Sequence, residues 1–275
     1  MSLYACDSAS PLNFVITGQI RCGSTVIQSS LNSHSKATCH GELLHPNVEI
    51  RSQAHYDYFG EPKREEEEGF LPSPPEYWRP PQEGGEMCPE QYLTERVFDN
   101  NLLRERSIGI KLLYSTLGEH QLWEYFNERC LSGDFCVIHL TRNPVACFVS
   151  LKQAERSGLW HRRFQDRSLT LSPSPVRVDV EELTSFVRQH AANERKVKTM
   201  CDDRLEIEYR ELFLNYRAVM RGVLDFLELD PMPFISPGVR RLKNRNIKER
   251  VQNWSALKCS VTGEVKEYLD RDDLF

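Results

Sequence analysis

Short, mostly apolar runs recur along the chain, each closed by glycine, a polar residue or a basic one. Phe14-Val15-Ile16 stops at Gly18. Ser107 to Tyr114 and Asp134 to Thr141 repeat the pattern, and Leu205 to Tyr209 does so once more. Apolar runs of about four to eight residues suit buried strands. Between them the spacing becomes helical, first from Ser24 to Leu31 directly after the opening strand and later in the amphipathic stretch Tyr216 to Leu227. Strands alternating with helices predict a three-layer α/β architecture, a mostly parallel sheet with helices on both faces.

Residues 60–92 break this pattern. An acidic run, Glu65 to Glu68, is followed by Pro72, Pro74, Pro75, Pro80, Pro81, Gly84, Gly85 and Pro89. The composition predicts a Pro/Glu-rich insertion without regular structure, either a solvated flap or an active-site lid. A second irregular stretch, Arg156 to Arg177, mixes basic residues with Trp160 and the Pro173-Ser174-Pro175 turn. The expected organisation is a single domain over residues 1–275 that carries the insertion.

Composition narrows the partners. With 40% hydrophobic residues in 275 the chain can bury a large core without metal or disulfide staples. A net charge of −5 argues against bulk nucleic-acid binding, so any polyanion must meet a local basic patch. None of the nine cysteines forms a Cys-x-x-Cys pair, which favours reduced thiols and a cytoplasmic setting. No apolar stretch approaches the roughly 20 residues needed to span a bilayer, and Met1 to Pro11 has neither the basic nor the apolar region of a signal peptide.

The loop after the first strand carries the first chemical signal. Gly18-Gln19-Ile20-Arg21-Cys22-Gly23-Ser24-Thr25 has the Gly-x-x-x-x-Gly frame of a Walker loop, with Ser24 where the lysine should stand. Backbone amides and a helix N-terminus still suit a phosphate, and Arg21 returns a cation inside the loop. A Walker lysine serves β- and γ-phosphates, so its loss disfavours nucleoside-triphosphate chemistry, whereas Arg21 can reach a group attached to a single 5′-phosphate. The blander reading is a Gly-Ser turn that only caps a helix. Cys22, Cys147 and Cys259 read as ordinary small residues; only Cys22, beside the helix N-terminus, has the alternative of a lowered pKa, with which its oxidation would block the loop.

The segment Arg21-Cys22-Gly23-Ser24-Thr25 resembles the 5′-phosphosulfate loop of sulfotransferases that use 3′-phosphoadenosine-5′-phosphosulfate (PAPS). Leu31-Asn32-Ser33-His34 and Gly41-Glu42-Leu43 look like the segment that follows it in bacterial and carbohydrate-type members. Val137 to Pro144, leading to Ser150, resembles the family's 3′-phosphate motif of strand, Arg-Asp/Asn-Pro, helix and serine. Asn143 can cap that helix with Pro144 at its first position, leaving Arg142 at the strand end and Ser150 about two turns on. Ile207 to Leu212 looks like the family's late strand, and Glu249 to Trp254 like its nucleotide-covering segment. Arg240, Arg241, Lys243, Arg245, Lys248 and Arg250 form a basic cluster suited to two phosphates. Two departures stand out: Val26 replaces a tryptophan that stacks on adenine in many members, with Trp254 as a substitute, and Asn143 replaces the commoner aspartate.

The resemblance implies a P-loop NTPase-like sulfotransferase fold and transfer of a sulfuryl group from PAPS to a hydroxyl acceptor (carbohydrate, lipid or small molecule), releasing adenosine 3′,5′-bisphosphate. Such chemistry needs a base for the acceptor proton and cations near the sulfonate. Glu42 matches the family's catalytic glutamate, His40 two residues earlier is the alternative base, and Lys111 matches its catalytic lysine. A lysine inside an apolar strand is costly unless it meets an anion. The donor contacts so implied are Arg21, Cys22, Gly23, Ser24, Thr25, Arg142, Ser150, Arg245, Lys248 and Arg250. No residue group has metal-ligand spacing, and no metal is expected. Two other readings stay open here: a P-loop nucleotide or small-molecule kinase, and a non-catalytic protein that keeps the nucleotide site and binds a partner through the insertion.

Overall fold

The computed structural model describes residues 12–47, 78–80, 83–98, 107–158, 160, 174–232 and 246–271. Its centre is a five-stranded sheet of β1 (Phe14–Gly18), β2 (Ala37–His40), β3 (Ser107–Lys111), β4 (Cys136–Thr141) and β5 (Arg204–Glu208), in the order β2-β3-β1-β4-β5. Every described pairing is parallel, with Phe14 opposite Gly109 on one side and Cys136 on the other. The runs thus mark four of the five strands, but β5 is not buried as expected: at the sheet edge it exposes Glu206 and Glu208 and buries only Ile207. β2 escapes that reading because Ala37-Thr38-Cys39-His40 is short and mixed in polarity, and only its pairing with β3 makes it a strand.

Side chains of β1 alternate between two cores. Phe14 and Ile16 face α1 (Ser24–Leu31), where Ile27 and Leu31 pack with Met220, Val223 and Leu224 of a later helix. Val15 faces the opposite layer, with α3 (Tyr114–Glu119) and α4 (Trp123–Leu131). These are the two helical layers expected of a doubly covered parallel sheet. In chain order the remaining helices are α2 (Pro89–Tyr92), α5 (Pro144–Ser157), α6 (Val180–Met200), α7 (Tyr209–Leu214), α8 (Tyr216–Phe226), α9 (Ile247–Arg250), α10 (Trp254–Ser260) and α11 (Gly263–Asp270). Val145, Phe148 and Val149 of α5 build a third apolar cluster with Leu183 and Val187 of α6 and with Leu257, Val265 and Leu269 near the C-terminus.

Residues 60–77 and 81–82 lie outside the described residues, but the end of the proposed insertion corrects the expectation of irregular structure. Pro89 opens α2 at its first position, and Cys88 and Gln91 bond reciprocally across the turn as a capping box. A π-helical turn, Leu93–Val97, continues it. Trp78 is buried in the core with Leu43, Leu44 and Leu93. Proline and glutamate content hid one aromatic anchor and one capped turn. The long helix α6 was equally silent in the sequence, because charged residues dilute its apolar stripe; Asp179 caps it by accepting from the N–H groups of Glu181 and Glu182, both at 2.9 Å.

A polar chain, buried at Tyr114 and His139 and open to solvent at Glu206, lies next to α3. The Tyr114 hydroxyl lies 2.6 Å from His139 Nε2, and His139 Nδ1 lies 3.3 Å from Glu206 Oε1. Burial outweighs the pull of Glu206 and holds the His139 imidazole down at about 4. An unfolded chain takes up that proton near 6.5, so the unfolded state binds more protons between these values. The stabilisation is complete above about pH 6.5 and is lost as pH falls toward 4, about 3 kcal/mol in all. Urea unfolding across this range should show the decline in the wild-type chain and a flatter profile in His139→Gln; parallel profiles would show that His139 does not drive it.

Candidate active site

The strand order reverses at β1, with β3 on one side and β4 on the other, and the crevice beyond the strand ends is where such sheets receive ligands. Five segments leave the sheet there. After β1 the chain turns through Gly18 to Gly23 into α1; after β2 comes Gly41-Glu42; β3 ends on Lys111; β4 leads to Arg142; and β5 runs into α7 at Tyr209.

Two glycines make the first turn possible. Gly18 has φ 150°, and a Cβ there would meet the Leu140 carbonyl oxygen at 2.5 Å; Gly23 has φ 96° and its Cβ would crowd Leu212 and Tyr209. Between them Arg21 itself has φ 71°, an unusual value for a residue with a side chain, so the loop stores strain at the residue that carries its charge. The guanidinium reaches across the crevice: Nε donates to Ser150 Oγ at 3.2 Å and Nη1 to the Trp160 carbonyl at 2.6 Å. Arg142 Nη1 donates to the Arg21 carbonyl at 2.8 Å, and the Arg142 guanidinium stacks 3.7 Å from the centre of the Tyr209 ring. The loop, β4 and α5 therefore form one linked anion-ready surface. The sequence reading aimed Arg21 at a group on a 5′-phosphate; its side chain lies beside Ser150, the residue read as a 3′-phosphate contact.

Asn143 caps α5 as read from the sequence, accepting from Val145 N at 2.9 Å and Ala146 N at 3.4 Å, with Pro144 at the first position. Ser24 and Thr25 are buried in the first turn of α1. Cys22 is fully buried, and burial pushes its thiol up despite the neighbouring Ser24 amide and the Lys111 and Arg142 charges. This fits the ordinary buried residue and sets aside the alternative of a reactive thiol: the neighbouring amide and charges lower its pKa less than desolvation raises it.

Beside the loop lies an ion pair. Lys111 Nζ lies 2.9 Å from Glu42 Oε1 and 3.3 Å from Thr25 Oγ1, with side-chain exposures of 1% for Lys111 and 13% for Glu42. Burial alone would raise the Glu42 carboxyl, but the charge and hydrogen bond of Lys111, helped by His45 and Arg21, hold it below the ordinary carboxylate value. Glu42 is thus a carboxylate at neutral pH, and its two oxygens have acceptor capacity beyond the one Lys111 contact. Such a pair beside a phosphate loop can take a proton and hold a cation against developing negative charge. His40, the other candidate base, ends β2 opposite Ile110 and is buried.

The remaining sequence candidates separate. Arg245, with Arg240, Arg241 and Lys243, lies outside the described residues. Lys248 is exposed on α9, where Asn246 caps its amide. Arg250 is half-buried, donates from Nε to Gln153 Oε1 at 2.9 Å, and lends its carbonyl to Val176. Val26 is buried in the core, and Trp254 packs against the α5–α6 cluster. Sequence reading missed Tyr209 as the partner of Arg142; its position one residue past a strand at the crevice was the available signal.

Sheet, loop and strand-end charges define an α/β protein of the phosphate-loop type. Residues 13–256 match the family described as Stf0 sulphotransferase, and the chain belongs to that family. Nodulation protein H of Rhizobium tropici is 25% identical over 274 residues, covering 96% of this chain and 95% of the relative. Among solved structures, a sulfotransferase from Alicyclobacillus acidocaldarius is 15% identical with a TM-score of 0.46, covering 94% of this chain and 99% of the other. Mouse sulfotransferase SULT7A1 complexed with PAP is 12% identical with a TM-score of 0.38, covering 92% of this chain and 67% of that one. Family membership supports sulfotransferase activity and sets aside the kinase reading of the Gly-x-x-x-x-Gly frame.

Proposed function

We propose that the chain transfers a sulfuryl group from PAPS to a hydroxyl acceptor, with Glu42 as the base and Lys111 as the cation at the reacting sulfonate. The observation that carries this reading is the buried Lys111–Glu42 pair at 2.9 Å, joined to Thr25 of the phosphate loop at 3.3 Å. Backbone amides at the start of α1 suit the 5′-phosphosulfate, while Arg142, Ser150 and Arg21 suit the 3′-phosphate. As the acceptor oxygen attacks sulfur, its proton passes to the Glu42 carboxylate, the bond from sulfur to the bridging oxygen breaks, and adenosine 3′,5′-bisphosphate leaves. Lys111 offsets the negative charge on the sulfonate and bridging oxygens. A cytoplasmic setting belongs to the same reading, and the eight described cysteines, all free thiols, suit it.

Two experiments test this. Radiolabelled PAPS presented with panels of sugar, lipid and phenolic hydroxyls should yield a labelled product with at least one class; label released from no panel and no protection by the bisphosphate would count against the donor. Arg142→Ala should weaken adenosine 3′,5′-bisphosphate about ten- to a hundredfold by calorimetry, roughly the 1.5–3 kcal/mol of one charge-assisted bond, and adenosine 5′-monophosphate far less. Equal weakening of both ligands would move Arg142 away from the 3′-phosphate.

A further inference from the structure

Glu42 stands on a short turn, outside any strand or helix. β2 ends at His40, and the turn is closed by Leu43 N–H to the Gly41 carbonyl at 3.1 Å and His45 N–H to the Glu42 carbonyl at 3.0 Å. A third contact comes from a distant part of the chain. Nε2 of His120 lies 2.7 Å from the Leu44 carbonyl oxygen, and because a carbonyl only accepts, that ring nitrogen carries the proton. His120 is itself set by the end of α3: its N–H bonds the Thr116 carbonyl at 3.2 Å, Gln121 turns the chain with φ 56°, and Leu122 N–H bonds the Leu117 carbonyl at 2.9 Å.

Trp78 closes the other side. Its ring stands edge-on to the imidazole, centroids 5.0 Å apart at 79°, and its Nε1 donates to the Met87 carbonyl at 3.0 Å. Leu43, Leu44 and Trp78 belong to one apolar cluster, which gives burial but no direction. The His120 bond supplies the direction, because a hydrogen bond weakens steeply with angle while apolar packing does not.

We propose that His120 is a positioning residue for Glu42: its Nε2–H, backed by Trp78, fixes the Gly41–His45 turn so that the carboxylate meets Lys111. The kinetic part of this rests on Glu42 being the base. Loosening the turn misplaces the carboxylate, and an error near 1 Å costs about 10²-fold in rate. His120→Ala should therefore lower turnover about ten- to a hundredfold at saturating PAPS, with bisphosphate affinity within about twofold of wild type. The acid limb of the pH–rate profile should rise toward that of an ordinary glutamate, since the Lys111 contact no longer holds the carboxyl down. His120→Gln, whose side-chain amide offers an N–H at similar reach, should recover most of the rate.

The decisive readout is independent of turnover: a carbon-13 NMR titration of the Glu42 carboxyl in the ligand-free protein. A higher midpoint in His120→Ala than in wild type and His120→Gln supports the positioning role, even if Glu42→Gln proves fully active and the base assignment fails. The same midpoint in all three proteins overturns it, whatever the kinetics. Should the alanine variant not fold, Trp78→Phe keeps a ring and removes the donor to Met87; it should move the midpoint the same way by less, and an unmoved midpoint counts against the proposal.

Discussion

Glu42→Gln should lower turnover about 10²–10⁴-fold, the range that a general base contributes, while leaving affinity for adenosine 3′,5′-bisphosphate nearly unchanged. Glutamine keeps the shape and can still accept from Lys111 at the 2.9 Å position, so the donor side stays in place. What it lacks is the ability to accept the acceptor's proton. In the wild-type enzyme the carboxyl sits below its ordinary value, so activity should persist into mildly acidic solution and fall only as pH drops through that depressed pKa. A loss near twofold would instead pass the role to His40, two residues earlier at the end of β2, and His40→Ala would then carry the large effect.

The second large effect is on stability. Removing one partner of a buried ion pair leaves the other charge uncompensated, so Lys111→Met should cost about 3–5 kcal/mol at pH 7 by urea unfolding. The pH dependence changes sign with it. In wild type, Lys111 depresses the Glu42 carboxyl, so the pair's stabilisation is present above the unfolded pKa and lost as pH falls through the folded one. In Lys111→Met burial alone acts, the carboxyl rises, and the variant should gain stability on mild acidification as Glu42 takes up its proton. Lys111→Met combined with Glu42→Gln should recover much of the loss, because the stranded charge is gone. Additive losses in the double variant would mean that the two groups do not stabilise one another.

The parts of this protein that the sequence displayed are those whose cause is local. Ser24 to Leu31 reads as a helix because a glycine turn and apolar spacing precede any tertiary contact, and Asn143-Pro144 reads as a helix start because cap and first residue are chemically specified. Phe14 to Ile16 and Val137 to Leu140 read as buried strands because both faces are apolar. Lys111 announced itself by conflict, a charge in an apolar strand, and Glu42 is the anion that resolves it. What was hidden depends on distant partners. β2 exists through β3, Trp78 was masked by its prolines, and the stacking of Arg142 on Tyr209 joins positions that no local pattern relates. Arg21 was legible as a charge but not as a direction, since its contact with Ser150 spans 129 positions.

The strand order also bears on how the chain is made. Among the described strands β1 is the first to be synthesised and the central one in the sheet, yet its neighbours are β3 and β4. From residue 18 until residue 107 has emerged, Phe14-Val15-Ile16 has no partner on either edge, and the β4 edge waits until residue 136. At ribosomal rates of about 5–20 residues per second that interval is on the order of ten seconds, long compared with local helix formation. A nascent chain bearing an unpaired apolar strand for that time is a substrate for chaperones and, without them, for intermolecular pairing. The same central position that gives the phosphate loop a rigid base makes its strand the one that waits longest for its partners during synthesis.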